Sequence, residues 1–287
     1  MSNKFDMHIH STASDGADPV PQLLEKILES GLHTFAVTDH DTITGSQLME
    51  KIVPKELNFI RGIEFSCITP YRKCHILGYD FDLDDELIQN AFQLVKDLRT
   101  EKRDLRIAYF KNELGIQLTD DELASLTGET SPGKPNFGKI LVERGFAPDI
   151  QTAISQYVNK CKTPRKGIDS DIAVKAILHA GGIPVWAHPL GGEGERRLTK
   201  EEFEEQLIEL ISNGIQGLEC YYSRYDQDEI DFLAEQAKLH NLLISGGSDY
   251  HGSNKKNINL GKLNVDNAPV DLEKITLIFA IENRQSV

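Results

Sequence analysis

The chain has 287 residues, 39% hydrophobic and 26% charged, with a mean hydropathy of -0.35, which suits one large α/β domain or a barrel carrying an insertion and argues against a disordered chain. Nowhere do roughly 18 apolar residues run together, and the opening MSNKFDMHIH lacks the basic start and apolar stretch of a signal peptide, so a cytoplasmic protein with no membrane partner is expected. The net charge of -14 argues against an extended basic face that coats nucleic acid.

In chain order, β-like runs are expected at Phe5–Ile9, Thr34–Thr38, Asn58–Ile63, His75–Tyr79, Ile183–Ala187, Gly217–Tyr221 and Leu242–Ser245. Between them lie amphipathic helices, Gln22–Ser30 stopping at Gly31, Thr42–Glu50, Asp171–Ala180 stopping at Gly181, and Thr199–Ser212 stopping near Gly214; a closing helix is expected at Leu272–Asn283. This alternation predicts βαβ units around a parallel sheet. Between the fourth and fifth runs the sequence is helical in pattern, and residues 98–172 are expected to form a helical insertion on a barrel made of 1–97 and 173–287. From Leu94 to Lys166 there are 13 Lys/Arg and 10 Asp/Glu, a local balance of +3 that leaves -17 on the remainder. Lys96, Arg99, Arg103 and Arg106 recur at helical spacing and gather on one side, as a solvated face or as substrate contacts. The four cysteines show no metal-binding spacing and are expected to be incidental thiols.

The chemistry gathers where the runs end. His8 and His10 follow the first, with Asp15 in the loop beyond; Asp39, His40 and Asp41 follow the second, and Glu64 the third; His75 lies in the fourth, His188 follows the fifth, and Asp249 and His251 follow the seventh. In a parallel barrel these ends share one face. Residues two apart on extended backbone point the same way, so His8 with His10, and Asp249 with His251, can face one cavity. Imidazoles mixed with carboxylates favour a multinuclear divalent centre. Asp39 and Asp41 are expected either to orient His40 or to cap the following helix. His33, His179 and His240 fall outside the pattern and are expected to be structural.

These motifs, DMHIHSTASDG, VTDHDTITG, GIEFS, CHILGYDFD, VWAHP and GGSDYHG, resemble in order those of the PHP (polymerase and histidinol phosphatase) domain family, over most of the chain outside the insertion. The closest resemblance is to the stand-alone nucleotide phosphatase and 5′-3′ exoribonuclease-like branch. It implies a distorted seven-stranded (β/α) barrel holding three divalent ions, commonly Mn, Fe or Zn. Carried over, His8, His10, Glu64 and Asp249 hold one ion, Glu64, His75 and His188 a second, and Asp15, His40 and His251 a third. It also implies a metal-bound hydroxide, held by Glu64, His75 and His188, that hydrolyses the phosphate monoester of a small nucleotide or the 5′ end of a short RNA. Where relatives carry Gly-Arg-Pro-His this chain reads Gly133-Lys134-Pro135-Asn136, and Lys134, Arg165 and Arg224 are the candidate phosphate contacts. Tyr221, Tyr222 and Tyr225 are candidates for stacking on a base. The alternatives are a histidinol-phosphate phosphatase and a non-catalytic metal-binding module.

Overall fold

The computed structural model describes residues 4–127, 133–163, 167–193 and 195–285. Its first half runs β1 (Phe5–Ile9), α1 (Val20–Ser30), β2 (Thr34–Val37), α2 (Thr44–Ile52), β3 (Asn58–Ile68) and β4 (Lys73–Tyr79). Then come α3 (Glu86–Asn112), α4 (Asp120–Ser125), α5 (Lys134–Glu143), α6 (Ile150–Gln156), β5 (Ile168–Asp169) and α7 (Ser170–His179). The chain ends with β6 (Ile183–Trp186), α8 (Lys200–Asn213), β7 (Gly217–Tyr222), α9 (Gln227–Leu239), β8 (Leu243–Gly247) and α10 (Thr276–Gln285). β1, β2, β6 and β7 are buried at every position, because helices cover one face of such a sheet and its own side chains fill the other. The expected stops hold: α1 ends at Gly31 with φ 72 and α8 at Gly214 with φ 101, left-handed positions that favour glycine. Thr199 and Glu202 cap α8 reciprocally.

The strand order is β1-β2-β3-β4-β6-β7-β8. A seam nearly closes the ring, with the Asp249 N–H donating to His8 O (2.9 Å) and the His10 N–H to Tyr250 O (2.9 Å). The expected seven-stranded α/β barrel is therefore present, with one correction. β4 runs antiparallel to both β3 and β6, since only the turn from Thr69 to Arg72 links it to β3 and a parallel return needs a dozen or more residues. The extra two-residue β5 pairs with the far end of β3, Cys67 opposite Ile168. The expected closing helix is present as α10 but starts at Thr276, the residues Leu272–Lys274 forming a separate 3-10 turn.

One large core joins the barrel to α7–α10, with Trp186 stacked on Phe203 at 5.3 Å. A second packs α1 and α2 through Leu23, Ile27, Phe35 and Met49. The helical segment has its own core, including Phe110, Phe137, Leu141 and Ala153. α3 joins them, with Ile88, Ala91 and Val95 in the barrel core and Phe110 in the small one, so the helix crosses residue 98 unbroken. Among the described residues no helix is long and apolar enough to cross a membrane.

Candidate metal centre

Alternation along β1 buries Phe5, Met7 and Ile9 on one side and turns Asp6 and His8 to the other. Asp6 accepts hydrogen bonds from Ser248 N–H (2.8 Å), Ser248 Oγ (2.6 Å) and Gly261 N–H (2.8 Å), fixing the segment that carries Asp249 and His251. Asp39 does the same for the β1–α1 loop, accepting from Ser11 N–H (2.8 Å), Ser11 Oγ (2.7 Å) and Ser14 Oγ (2.6 Å). Glu64 lies within β3, which runs five residues past its expected end. His75 reaches the same end of the barrel because β4 is reversed, so it comes from the strand's amino-terminal part. His188, with φ 30, and Asp249, with φ 58, are non-glycine residues held in sparsely populated backbone conformations, of the kind that cluster at functional sites.

These pieces bring the nine expected ligands together around Glu64 and Asp15. Glu64 Oε2 lies 3.2 Å from His8 Nε2 and 3.2 Å from His10 Nε2. Asp249 Oδ1 lies 3.6 and 3.4 Å from the same two nitrogens, which are 3.1 Å apart. Four donors around an ion at about 2.1 Å in a tetrahedron would sit about 3.4 Å apart, so the spacing fits. On its other oxygen, Glu64 Oε1 meets His75 Nδ1 at 2.9 Å and His188 Nε2 at 3.1 Å. A third group forms on Asp15, with His251 Nε2 at 3.1 Å, His10 Nδ1 at 3.8 Å and His40 Nε2 at 4.0 Å. His40 also sets Nδ1 at 3.0 Å from Glu64 Oε2 and so stands between two groups. His10 Nδ1, His40 Nδ1, Glu64 Oε2 and His251 Nε2 are buried without a hydrogen-bond partner among the described residues. Orphaned donor atoms of this kind are costly in a protein interior unless an ion takes their lone pairs, and the residues present fit divalent metals.

The electrostatics agree. Burial opposes charge on His8, but Glu219, Glu64 and Asp249 outweigh it and hold its pKa well above the ordinary value. Burial likewise opposes charge on His10, yet Asp249 and Glu64 push it up to about 9. His40 goes the other way: burial holds it well below its ordinary value despite Glu64 and Asp15. Burial alone would raise the carboxyls, but Glu64 is held well below the usual range by His40, His8 and His75, Asp15 by His251 and His40, and Asp249 by Lys255, His251 and His8. The ionised carboxylates are in the state a divalent ion binds, and an ion bound there would displace the proton that they hold on His8 and His10.

Not every expected contact forms. Asp39 and Asp41 do not serve the His40 ring: Asp39 ties the Ser11–Ser14 loop, and Asp41 accepts from the Ser66 N–H (2.7 Å) and from Arg99 Nε (2.6 Å). Nor does either cap α2, which starts without a side-chain cap. Lys134 Nζ donates to Asn159 Oδ1 (2.5 Å), and Asn136 Oδ1 accepts the Gly133 N–H (2.8 Å) as the cap of α5. Arg224 is paired with Glu193 and also approaches Lys256 O. Arg165 lies outside the described residues. The three tyrosines cannot stack on a base, because all are buried: Tyr222 donates to Asp249 Oδ2 (3.0 Å), and the Tyr225 hydroxyl accepts the Leu190 N–H (2.8 Å).

Sequence reasoning missed Glu219. Fully buried on β7, it lies 2.8 Å from His8 Nδ1 and accepts the His188 N–H at 2.7 Å, orienting ligands from two groups at once. Its signal was a carboxylate inside the apolar run Gly217–Tyr222. Lys255, 2.5 Å from Asp249 Oδ2, was also missed. The cluster is fully buried at His8, His10 and Glu64, whereas the side chains of Asp15 and His40 are each 13% exposed and that of His75 30%. The cluster is therefore most open at His75, which lines a cleft with His188 and Glu195, while Gly133 at the start of α5 packs beside Asp15.

The PHP domain profile matches residues 6–252. A 5′-3′ exoribonuclease of Haemophilus influenzae is 31% identical over 257 residues, covering 88% of this chain and 91% of that protein. A 3′,5′-nucleoside bisphosphate phosphatase of Chromobacterium violaceum is 24% identical over 251 residues, covering 86% of this chain and 87% of that protein. Among solved structures, a protein of Bifidobacterium adolescentis described as a metal-dependent phosphoesterase superposes with a TM-score of 0.79 at 26% identity, covering 92% of this chain and 93% of that one.

Proposed function

This chain belongs to the PHP domain family, and from that membership we propose that it is a metal-dependent phosphoesterase that hydrolyses the phosphate monoester of a nucleotide, either a nucleoside bisphosphate or monophosphate or the 5′ end of a short RNA. The observation that carries the reading is the convergence of three donor groups on Glu64 and Asp15, with buried donor atoms that lack partners and an opening at His75, His40 and Asp15. The relatives support the reaction class, since those quoted above carry names of enzymes that cleave phosphoesters.

We assign His8, His10, Glu64 and Asp249 to one ion, Glu64, His75 and His188 to a second, and Asp15, His40 and His251 to a third, with Mn, Fe or Zn as candidates. Bound there, divalent ions would acidify a water and offset the charge on a phosphate. The protein's part is to hold the donors: Glu219 keeps the proton on His8 Nδ1 so that Nε2 faces inward, and Lys255 with Tyr222 occupies Asp249 Oδ2 so that Oδ1 faces the histidines. Residues 98–172 are assigned to covering the open side, with Lys134 at the start of α5 among the substrate contacts.

Phosphate release from a nucleoside 3′,5′-bisphosphate, a 5′-phosphorylated dinucleotide and histidinol phosphate, measured with Mn²⁺ and after chelation, tests the reading. Glu64→Gln should lose bound metal and activity together. Full activity of that variant with a full metal complement, or Mn²⁺-dependent hydrolysis of histidinol phosphate alone, would overturn it.

A further inference from the structure

The loop between β6 and α8 begins near His188, whose φ of 30 is doubly unusual because a residue before a proline is pushed toward extended backbone. Such a conformation persists only where its surroundings over-determine it, and here the polar groups of the turn are held one by one. Glu219 accepts the His188 N–H (2.7 Å), the Gly191 N–H donates to His188 O (2.8 Å), and the Leu198 N–H donates to Leu190 O (3.0 Å). The Leu190 N–H donates to the Tyr225 hydroxyl (2.8 Å). Gly191 O completes the set by accepting from Arg197 Nη1 (2.8 Å).

Arg197 uses each of its three nitrogens. Nε donates to Glu229 Oε1 (2.6 Å) in the first turn of α9, Nη2 donates to Arg224 O (2.6 Å), and the guanidinium lies 4.8 Å from the centre of the Tyr225 ring. One side chain therefore ties the loop after β6 to the loop after β7 and to α9. The tied loop folds back on the imidazole it follows: a methyl group on Gly192 would fall 3.3 Å from His188 Nδ1, and Glu195 Oε2 accepts the Gly192 N–H (3.1 Å). The His188 ring thus meets both this loop and the Tyr222 ring, 5.6 Å away, with Nε2 at 3.1 Å from Glu64 Oε1.

We propose that Arg197 is a positioning residue for the second metal group: by holding Gly191 it fixes the backbone at His188, and with it the placing of Nε2 against Glu64. The inference rests on the assignment of His188 as a ligand, and not on the identity of the substrate. Lysine is no substitute, since an ammonium keeps the charge beside Glu229 but lacks the planar fork that reaches Gly191 O and Arg224 O together. The Arg197 side chain is 37% exposed, so replacing it opens no cavity in the core.

The test compares Arg197→Lys, His188→Ala and the double variant with the wild type. Bound metal per chain after dialysis and affinity for Mn²⁺ in competition with a chromogenic chelator are read alongside the unfolding midpoint. Arg197→Lys should weaken one ion by roughly ten- to hundredfold, the size of effect that loss of an outer hydrogen-bond partner has. It should leave the remaining ions in place and recover phosphate release at high Mn²⁺. His188→Ala should lose the same ion, and adding Arg197→Lys to it should weaken metal binding no further, because a residue that acts through His188 then has nothing left to position. Wild-type affinity in Arg197→Lys, equal weakening of every ion, or full additivity in the double variant would overturn the proposal. The metal readout does not need turnover. A wild type that binds metal but releases no phosphate refutes the phosphoesterase reading while the chelator data still decide the role of Arg197; a wild type that binds no metal overturns both.

Discussion

Replacing Glu219 by Gln keeps the shape of the side chain and changes one atom's chemistry. The carboxylate lies 2.8 Å from His8 Nδ1 and accepts the His188 main-chain N–H at 2.7 Å, fully buried. A carboxamide has one acceptor oxygen, so its NH₂ must face one of two donors. The loss of one charge-assisted bond is worth about 1.5–3 kcal/mol. The His8 ring can escape only by moving its proton to Nε2, the atom that faces Glu64, His10 and Asp249. Either way the cost falls on metal binding, and ten- to hundredfold weaker affinity is expected, roughly the effect of losing an outer hydrogen-bond partner. Competition with a chromogenic chelator measures the affinity, and phosphate release over a Mn²⁺ titration should show activity returning at high metal. Unchanged affinity in a variant that folds like the wild type would refute the claim that Glu219 orients these ligands.

Three further outcomes follow from contacts elsewhere. A methyl group on Gly247 would fall 2.2 Å from His8 Cβ and 2.7 Å from its main-chain nitrogen; Gly247→Ala should lower stability by roughly 1–3 kcal/mol and reduce bound metal, read by thermal unfolding and metal analysis. Arg99→Met removes the partner of the nearly buried Asp41 and should cost about 3–5 kcal/mol in denaturant unfolding; a change below about 1 kcal/mol would mean that Asp41 is satisfied without it. The Lys102 pKa is lowered to about 8 by burial first and by Arg99, Arg106 and Lys73 next. The folded chain therefore gives up this proton at lower pH than the unfolded one, so its contribution to stability rises between about pH 8 and the ordinary lysine value near 10.5.

The convergence of the nine candidate ligands was legible because most of them sit in motifs at or near strand ends, and the barrel gathers those ends whatever the intervening sequence. Strand direction was not, because alternation along Lys73–Tyr79 reads the same in either sense; the shortness of the Thr69–Arg72 link was the available clue. Glu219 was hidden by its setting, since an apolar strand draws attention to its packing residues and away from the carboxylate among them. Asp39 and Asp41 were misplaced for a different reason: proximity in sequence to His40 suggested contact, while the chain turns them toward Ser11 and Arg99. The basic hollow lined by Lys73 on β4, Arg106 on α3 and Lys162 in the loop before β5 was beyond reach, because these residues are brought together only by the fold.

The hairpin of β3 and β4 also bears on how the protein acquires its ions. Glu64 and His75 are 11 residues apart and meet at 2.9 Å, whereas Glu64 and His188 are separated by 124 residues and Asp6 and Ser248 by 242. Closing the first contact costs little loop entropy, and the others require most of the chain. A growing polypeptide is thus expected to present a carboxylate–imidazole chelate early in synthesis, long before the seam between β1 and β8 can shut around it.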